Sequence, residues 1–212
     1  MSEYYQINLR KVIINQNGLF LKEEEHGMNI IVINLIYPRP GVPLIKSLRT
    51  LDIKEAEKER DSKMTWDFSG KNTEDKAFSL IFKEVVAGEA YLEFIVTAIR
   101  KRDDVEKFLF GIIGGTAKIL LGSGISALVA NSSGSIIDSM KPQDKESIIG
   151  YAILPFADVV SNKEYEIPLK IPKTIELKSP ASYDDFGRIT SFNRITLAER
   201  SVNGTVNIYV IG

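Results

Sequence analysis

Apolar and polar residues alternate with a period of two along much of this chain, and that period belongs to β-strands. Tyr5-Gln6-Ile7-Asn8-Leu9-Arg10 alternates, Lys11-Val12-Ile13-Ile14 extends the run, and Asn17-Gly18 follows with a dipeptide suited to a tight turn. Met28 to Tyr37 is almost continuously apolar and β-branched, which predicts a strand buried on both faces and stopped by Pro38, Pro40, Gly41 and Pro43. Ala77 to Phe82, Tyr91 to Val96, Ile149 to Phe156, Tyr165 to Ile171, Ile189 to Leu197 and Thr205 to Ile211 predict further strands. In the last of these, Val206, Ile208 and Val210 share one face. Short strands with Gly and Pro punctuation predict a mainly β protein built as an antiparallel β-sandwich, with no βαβ series.

Two stretches break the period. Asp52 to Lys63 is highly charged and predicts an exposed helical excursion or loop. Asp103 and Asp104 are good N-caps, Glu106 follows in a first turn, and an apolar run extends from Leu109 to Ala130 before Asn131-Ser132-Ser133-Gly134. This predicts an inserted apolar helix around residues 104–130, within an insertion spanning 103–134. Lys170 to Gly187, with Pro172, Pro180 and Asp184-Asp185, reads as a long surface connection. There is no repeat and no linker-like segment, so residues 1–212 read as one domain.

The order of segments in the second half resembles the C-terminal half of a C2 domain. A strand (Tyr91 to Val96) precedes a loop, then Glu146 stands four before Gly150 at a strand start. Glu166-Ile167-Pro168-Leu169 and Gly204-Thr205-Val206-Asn207-Ile208 follow in the family's order. The resemblance covers about half of the chain. It implies a C2-like sandwich in which the helical insertion replaces the loop that meets lipid. Calcium-binding members use several aspartates from two adjacent loops, since the ion takes six to eight oxygens. Here Pro38-Arg39-Pro40-Gly41-Val42-Pro43 carries no carboxylate, while Asp103, Asp104, Asp144 and Glu146 are split by the insertion. The expected module is therefore calcium-independent, with no metal and no cofactor.

Charge narrows the partners. The chain has 27 basic and 28 acidic side chains, a net charge of −1, one histidine and no cysteine. Such a balance argues against nucleic-acid binding, which needs a basic field. Without cysteine there is no disulfide framework, thiol nucleophile or Cys-based metal site. Met1-Ser2-Glu3-Tyr4-Tyr5 lacks the cationic-then-apolar order of a secretory signal. A cytoplasmic protein is expected, with peripheral membrane attachment or export by a signal-less route as its further destinations.

Motifs for catalysis give way to plainer readings. Gly122-Ser123-Gly124-Ile125-Ser126-Ala127 has dinucleotide-loop spacing, but no parallel βαβ context surrounds it. His26, after Glu23-Glu24-Glu25, suits a polar hairpin tip, and no G-x-S-x-G elbow accompanies it. Asp103-Asp104 and Asp184-Asp185 fit capping better than paired acid/base chemistry, because adjacent carboxylates seldom face each other. Trp66 reads as a core residue sooner than a stacking platform. No enzyme is expected.

The insertion carries the functional expectation. Its apolar run reaches the ~20 residues of a membrane span, but Lys118 sits in the middle of it. Gly111 and Gly115 form a small-x-x-x-small pair. Five glycines between Leu109 and Ala130 weaken an isolated helix by ~1 kcal/mol each, so the segment needs a partner. Burial against its own sheet is the plainer option. The expected contact residues are Arg100, Lys101, Arg102, Leu109, Ile112, Ile113, Lys118, Leu120, Lys141 and Lys145. Basic side chains beside an apolar anchor suit an anionic membrane. The leading expectation is a membrane- or protein-binding module. The alternative is a structural or assembly subunit that uses the helix for homo-oligomer contacts.

Overall fold

A computed structural model describes residues 2–18, 28–37, 42–51, 56–58, 63–70, 79–87, 89–99, 137, 140, 144–186 and 189–212. Twelve strands run in chain order: β1 (Ser2–Ile14), β2 (Met28–Tyr37), β3 (Val42–Leu51), β4 (Glu57–Lys58), β5 (Met64–Asp67), β6 (Leu80–Ala87), β7 (Tyr91–Ile99), β8 (Ile148–Pro155), β9 (Lys163–Lys170), β10 (Ile175–Tyr183), β11 (Ile189–Leu197) and β12 (Val202–Ile211). Every pairing is antiparallel. Ten strands form one sheet in the order β3-β2-β7-β8-β9-β12-β1-β5-β4, with β6 also pairing β1. The remaining two, β10 and β11, make a separate hairpin.

The sheet curls until its edges nearly meet. Along β1, Ser2 to Asn8 pair with β6, whereas Lys11 to Ile14 pair with β5, so the sheet forks there. Across the remaining gap, side chains join β3 to β6. Lys46 Nζ lies 2.5 Å from Glu84 Oε1, and Arg49 Nη2 donates to the Leu80 carbonyl at 2.6 Å.

Alternation fills the inside of this curl. Tyr5, Ile7 and Leu9 of β1 point inward, then the inward phase switches to Val12 and Ile14. A register shift between Leu9 and Lys11 makes the switch, because one extra residue flips a strand's faces. Val206, Ile208 and Val210 meet them from β12, as the pattern predicts. Trp66 is 3% exposed in the same core. At one end the Tyr5 and Phe156 rings pack tilted against each other, with centroids 5.1 Å apart. Burial, then its bond to Glu3 Oε2, push the Tyr5 hydroxyl's pKa up. At the other end, Asn203 Nδ2 donates to the Gln16 and Ile149 carbonyls, while its Oδ1 accepts from Gln16 N.

Three segments differ from the sequence reading. Val42–Leu51 is a strand although Pro43 lies inside it. As an edge strand it can hold a residue without an N–H. Within the charged stretch, Glu57 and Lys58 pair with Thr65 and Met64 as a short outer strand. Ile175–Tyr183 is a strand, not a surface connection, and pairs with β11.

Candidate functional site

The second strand is apolar on both sides because it serves two layers. Ile31, Ile33 and Leu35 enter the central core, while Ile30, Val32 and Ile36 face outward. On β7, Leu92, Phe94, Val96 and Ala98 point inward, leaving Ile95 and Ile99 outside. Register places Val32 against Ile95 and Ile95 against Tyr151, so three strands share one outer apolar face. This face is buried. Ile137 and Met140, which belong to the connection between β7 and β8, pack on it with Ile148.

The connection leaves and rejoins the sheet at one place. Thr97 pairs with Ile148, so the end of β7 and the start of β8 lie side by side. Thr97 Oγ1 donates to the Ser147 carbonyl at 2.8 Å, tying β7 to the 3-10 turn Asp144–Ser147 that leads into β8. Gly18, at φ +74°, approaches from β1; a Cβ there would sit 2.9 Å from that of Ala98. Only a residue without a side chain permits both.

Asn34, Glu93 and Thr97 are polar side chains that interrupt the outer face. Asn34 and Glu93 are paired in register and both are 0% exposed. Asn34 Nδ2 donates to Glu93 Oε2 at 3.2 Å, and the Ile137 backbone N–H donates to Glu93 Oε1 at 3.5 Å. Asn34 Oδ1 has no hydrogen-bond partner. A buried carboxylate is costly unless paired, so this one fixes where the returning connection can sit. Sequence reasoning missed the pair. Its signal was the placing of Asn34 and Glu93 among the apolar residues of two largely apolar strand runs, MNIIVINLIY and YLEFIVTAI.

Of the expected contact residues, Lys145 lies in the Asp144–Ser147 turn and is half-buried. Arg100, Lys101, Arg102, Leu109, Ile112, Ile113, Lys118, Leu120 and Lys141 lie outside the described residues, as does the whole of the predicted helix. Asp103 and Asp104 also lie outside, whereas Asp144 and Glu146 share the one 3-10 turn. Among the described residues no group of three or more His, Asp or Glu is placed to hold a metal ion. No helix among them is long and apolar enough to cross a membrane.

The described part of the site is an apolar layer with a buried contact between Asn34 and Glu93. Trp66 is core, and Asp184 Oδ1 accepts from the Phe186 N–H in a turn. His26 and the Gly122–Ala127 motif lie outside the described residues. No protein-family model matches this chain, and no curated protein matches it in sequence.

Proposed function

We propose that residues 1–212 form a single non-enzymatic, C2-like β-sandwich module that attaches to an anionic membrane surface through the β7–β8 connection. In this reading an apolar helix around residues 104–130 makes the contact. The observation that carries it is the Thr97–Ile148 pairing. Ile99, which Arg100, Lys101 and Arg102 follow in sequence, therefore ends its strand near the turn that holds Lys145. Basic residues flanking an apolar segment at one end suit an anionic surface, each near-surface Lys or Arg contributing ~1 kcal/mol. The protein would then be cytoplasmic and peripheral to a membrane, or exported by a signal-less route.

A second reading keeps the same element but gives it a protein partner. Ile137 and Met140 show that part of the connection packs against a protein face. On that basis the chain is an assembly subunit whose insertion meets a neighbouring subunit. Vesicle flotation separates the two. Membrane attachment predicts co-flotation with phosphatidylserine-containing vesicles without calcium, and much less with neutral vesicles or in high salt. A protein that stays at the bottom with both vesicle types but sediments as an oligomer overturns the membrane reading in favour of the second.

A further inference from the structure

Two Asn-Gly steps occur in the chain, Asn17-Gly18 and Asn203-Gly204. Both are buried, and the bond from Asn203 to Gln16 brings them to the same end of the sheet. An asparagine before glycine is the least hindered setting for one intramolecular reaction. The glycine backbone nitrogen can attack the asparagine side-chain carbonyl carbon, because glycine has no Cβ to crowd its own nitrogen.

Folding holds Asn203 out of that reaction. The residue is 2% exposed, and both of its amide hydrogens are committed. Nδ2 donates to the Gln16 and Ile149 carbonyls at 2.9 Å each, and Oδ1 accepts from the Gln16 N–H at 3.0 Å. The Asn203 carbonyl accepts from the Asn15 N–H at 2.9 Å. These bonds keep Cγ from swinging onto the Gly204 nitrogen, and burial keeps water away. Release requires β12 to part from its neighbours β1 and β9.

The product does not fit where the asparagine was. An aspartate at 203 would turn an oxygen, not a donor, toward the Gln16 and Ile149 carbonyls. Two acceptors would be orphaned around a buried charge. An isoaspartate would add a backbone atom next to Gly204, where even a Cβ would sit 1.9 Å from the Ile13 carbonyl oxygen.

We propose that Asn203 is a fold-gated deamidation site, intact while β12 is paired and converted, once the chain opens, to an aspartyl residue that cannot return to the sheet. In the first step the Gly204 nitrogen loses its proton and bonds to Asn203 Cγ, the Cγ–Nδ2 bond breaks, and ammonia leaves a cyclic imide. Water then adds to either imide carbonyl and opens the ring to aspartate or isoaspartate. No oxidant, reductant or cofactor takes part. Unfolding thereby becomes irreversible with time, through chemical change in the opened chain.

Incubating the full chain at mildly alkaline pH, with and without unfolding guanidinium chloride, tests the proposal. Samples are refolded by dilution at intervals, folded and unfolded fractions are separated by size exclusion, and peptide mapping locates each exchange of ammonia for water. Position 203 should change at least about a hundredfold more slowly in the folded chain, since only the opened fraction reacts. The refolded fraction should retain Asn203, and the fraction that fails to refold should carry aspartate or isoaspartate there. Asn203→Ser keeps a hydroxyl donor but has no side-chain carbonyl to attack, so its refolding yield should not decay over the same interval. Equal conversion of folded and unfolded chains overturns the proposal. So do chains modified at 203 that refold like intact ones, or a loss of refolding that tracks Asn17 instead. An Asn203→Ser yield that decays at the wild-type rate overturns it as well.

Discussion

A Cβ at position 204 would sit 1.9 Å from the Ile13 carbonyl oxygen, in a backbone at φ +143° that L side chains rarely adopt. The clash is with backbone, so no rotamer relieves it. Gly204→Ala should therefore lower stability by at least the ~1–3 kcal/mol of such strain, read as a fall in the urea midpoint. An unchanged midpoint would show that β1 and β12 can separate there without cost. Glu93 tests a different kind of residue. Glu93→Ala removes the acceptor of the Asn34 amide inside an apolar layer, at about 1–3 kcal/mol for an orphaned buried donor. Amide exchange at Ile137 should also rise, since its N–H loses the Glu93 oxygen. Exchange at Ile137 that stays as slow as before would show that the carboxylate does not hold the connection. Residues of this kind are legible only in part. Asn34 and Glu93 announce themselves as polar breaks in apolar runs, but nothing in either run says that the two face each other.

Elements with clean alternation were legible, and those that owe their form to position in the sheet were not. β12 reads directly from Val206, Ile208 and Val210, and β2 from its almost continuously apolar run. For β1 the sequence contains both inward phases, yet only the bulge between Leu9 and Lys11 explains why both are buried. Residues 42–51 were hidden by Pro43, and residues 175–183 by Pro180, because a proline rule written for central strands misleads at edges and in hairpins. The inserted helix belongs to residues the structure does not describe, so the sequence remains its basis. One element makes a pH prediction. Asp67 ends β5, and although burial would raise its pKa, the Ser69 N–H and hydroxyl, then Lys11 and Arg10, hold it below the ordinary carboxylate value. A depressed carboxylate stabilises the fold above its unfolded pKa, and that contribution is lost as pH falls through the folded value. Stability should thus decline below about pH 4, and Asp67→Asn should make that decline shallower. An equally steep decline in the variant would assign it to other carboxylates.

At the scale of the whole molecule, the proposed module is a curled antiparallel sheet whose β7–β8 connection makes the contact. Calcium should not matter to it. Asp144 and Glu146 sit in a single short turn, and the sequence from Pro38 to Pro43 has no carboxylate side chain. The melting temperature should be the same with calcium or chelator; a calcium-dependent rise abolished by Asp144→Asn would contradict this. Charge should matter more. Replacing Arg100, Lys101 and Arg102 together by Ser should weaken attachment to anionic vesicles by about 3 kcal/mol at low salt, measured by vesicle titration. Binding unchanged by the triple replacement would mean that those residues merely solvate a loop rim.

If residues 109–130 act as the proposed interaction element, replacing Ile112 and Ile113 together by Asp should abolish attachment and leave the fold intact. Flotation with anionic vesicles and thermal melting would be measured on the same sample. The account predicts a variant that melts like wild type but no longer floats. A variant that stays folded and floats like wild type would contradict it. So would one that fails to fold, because unpaired carboxylates would then have been forced into a core that these residues were said to leave.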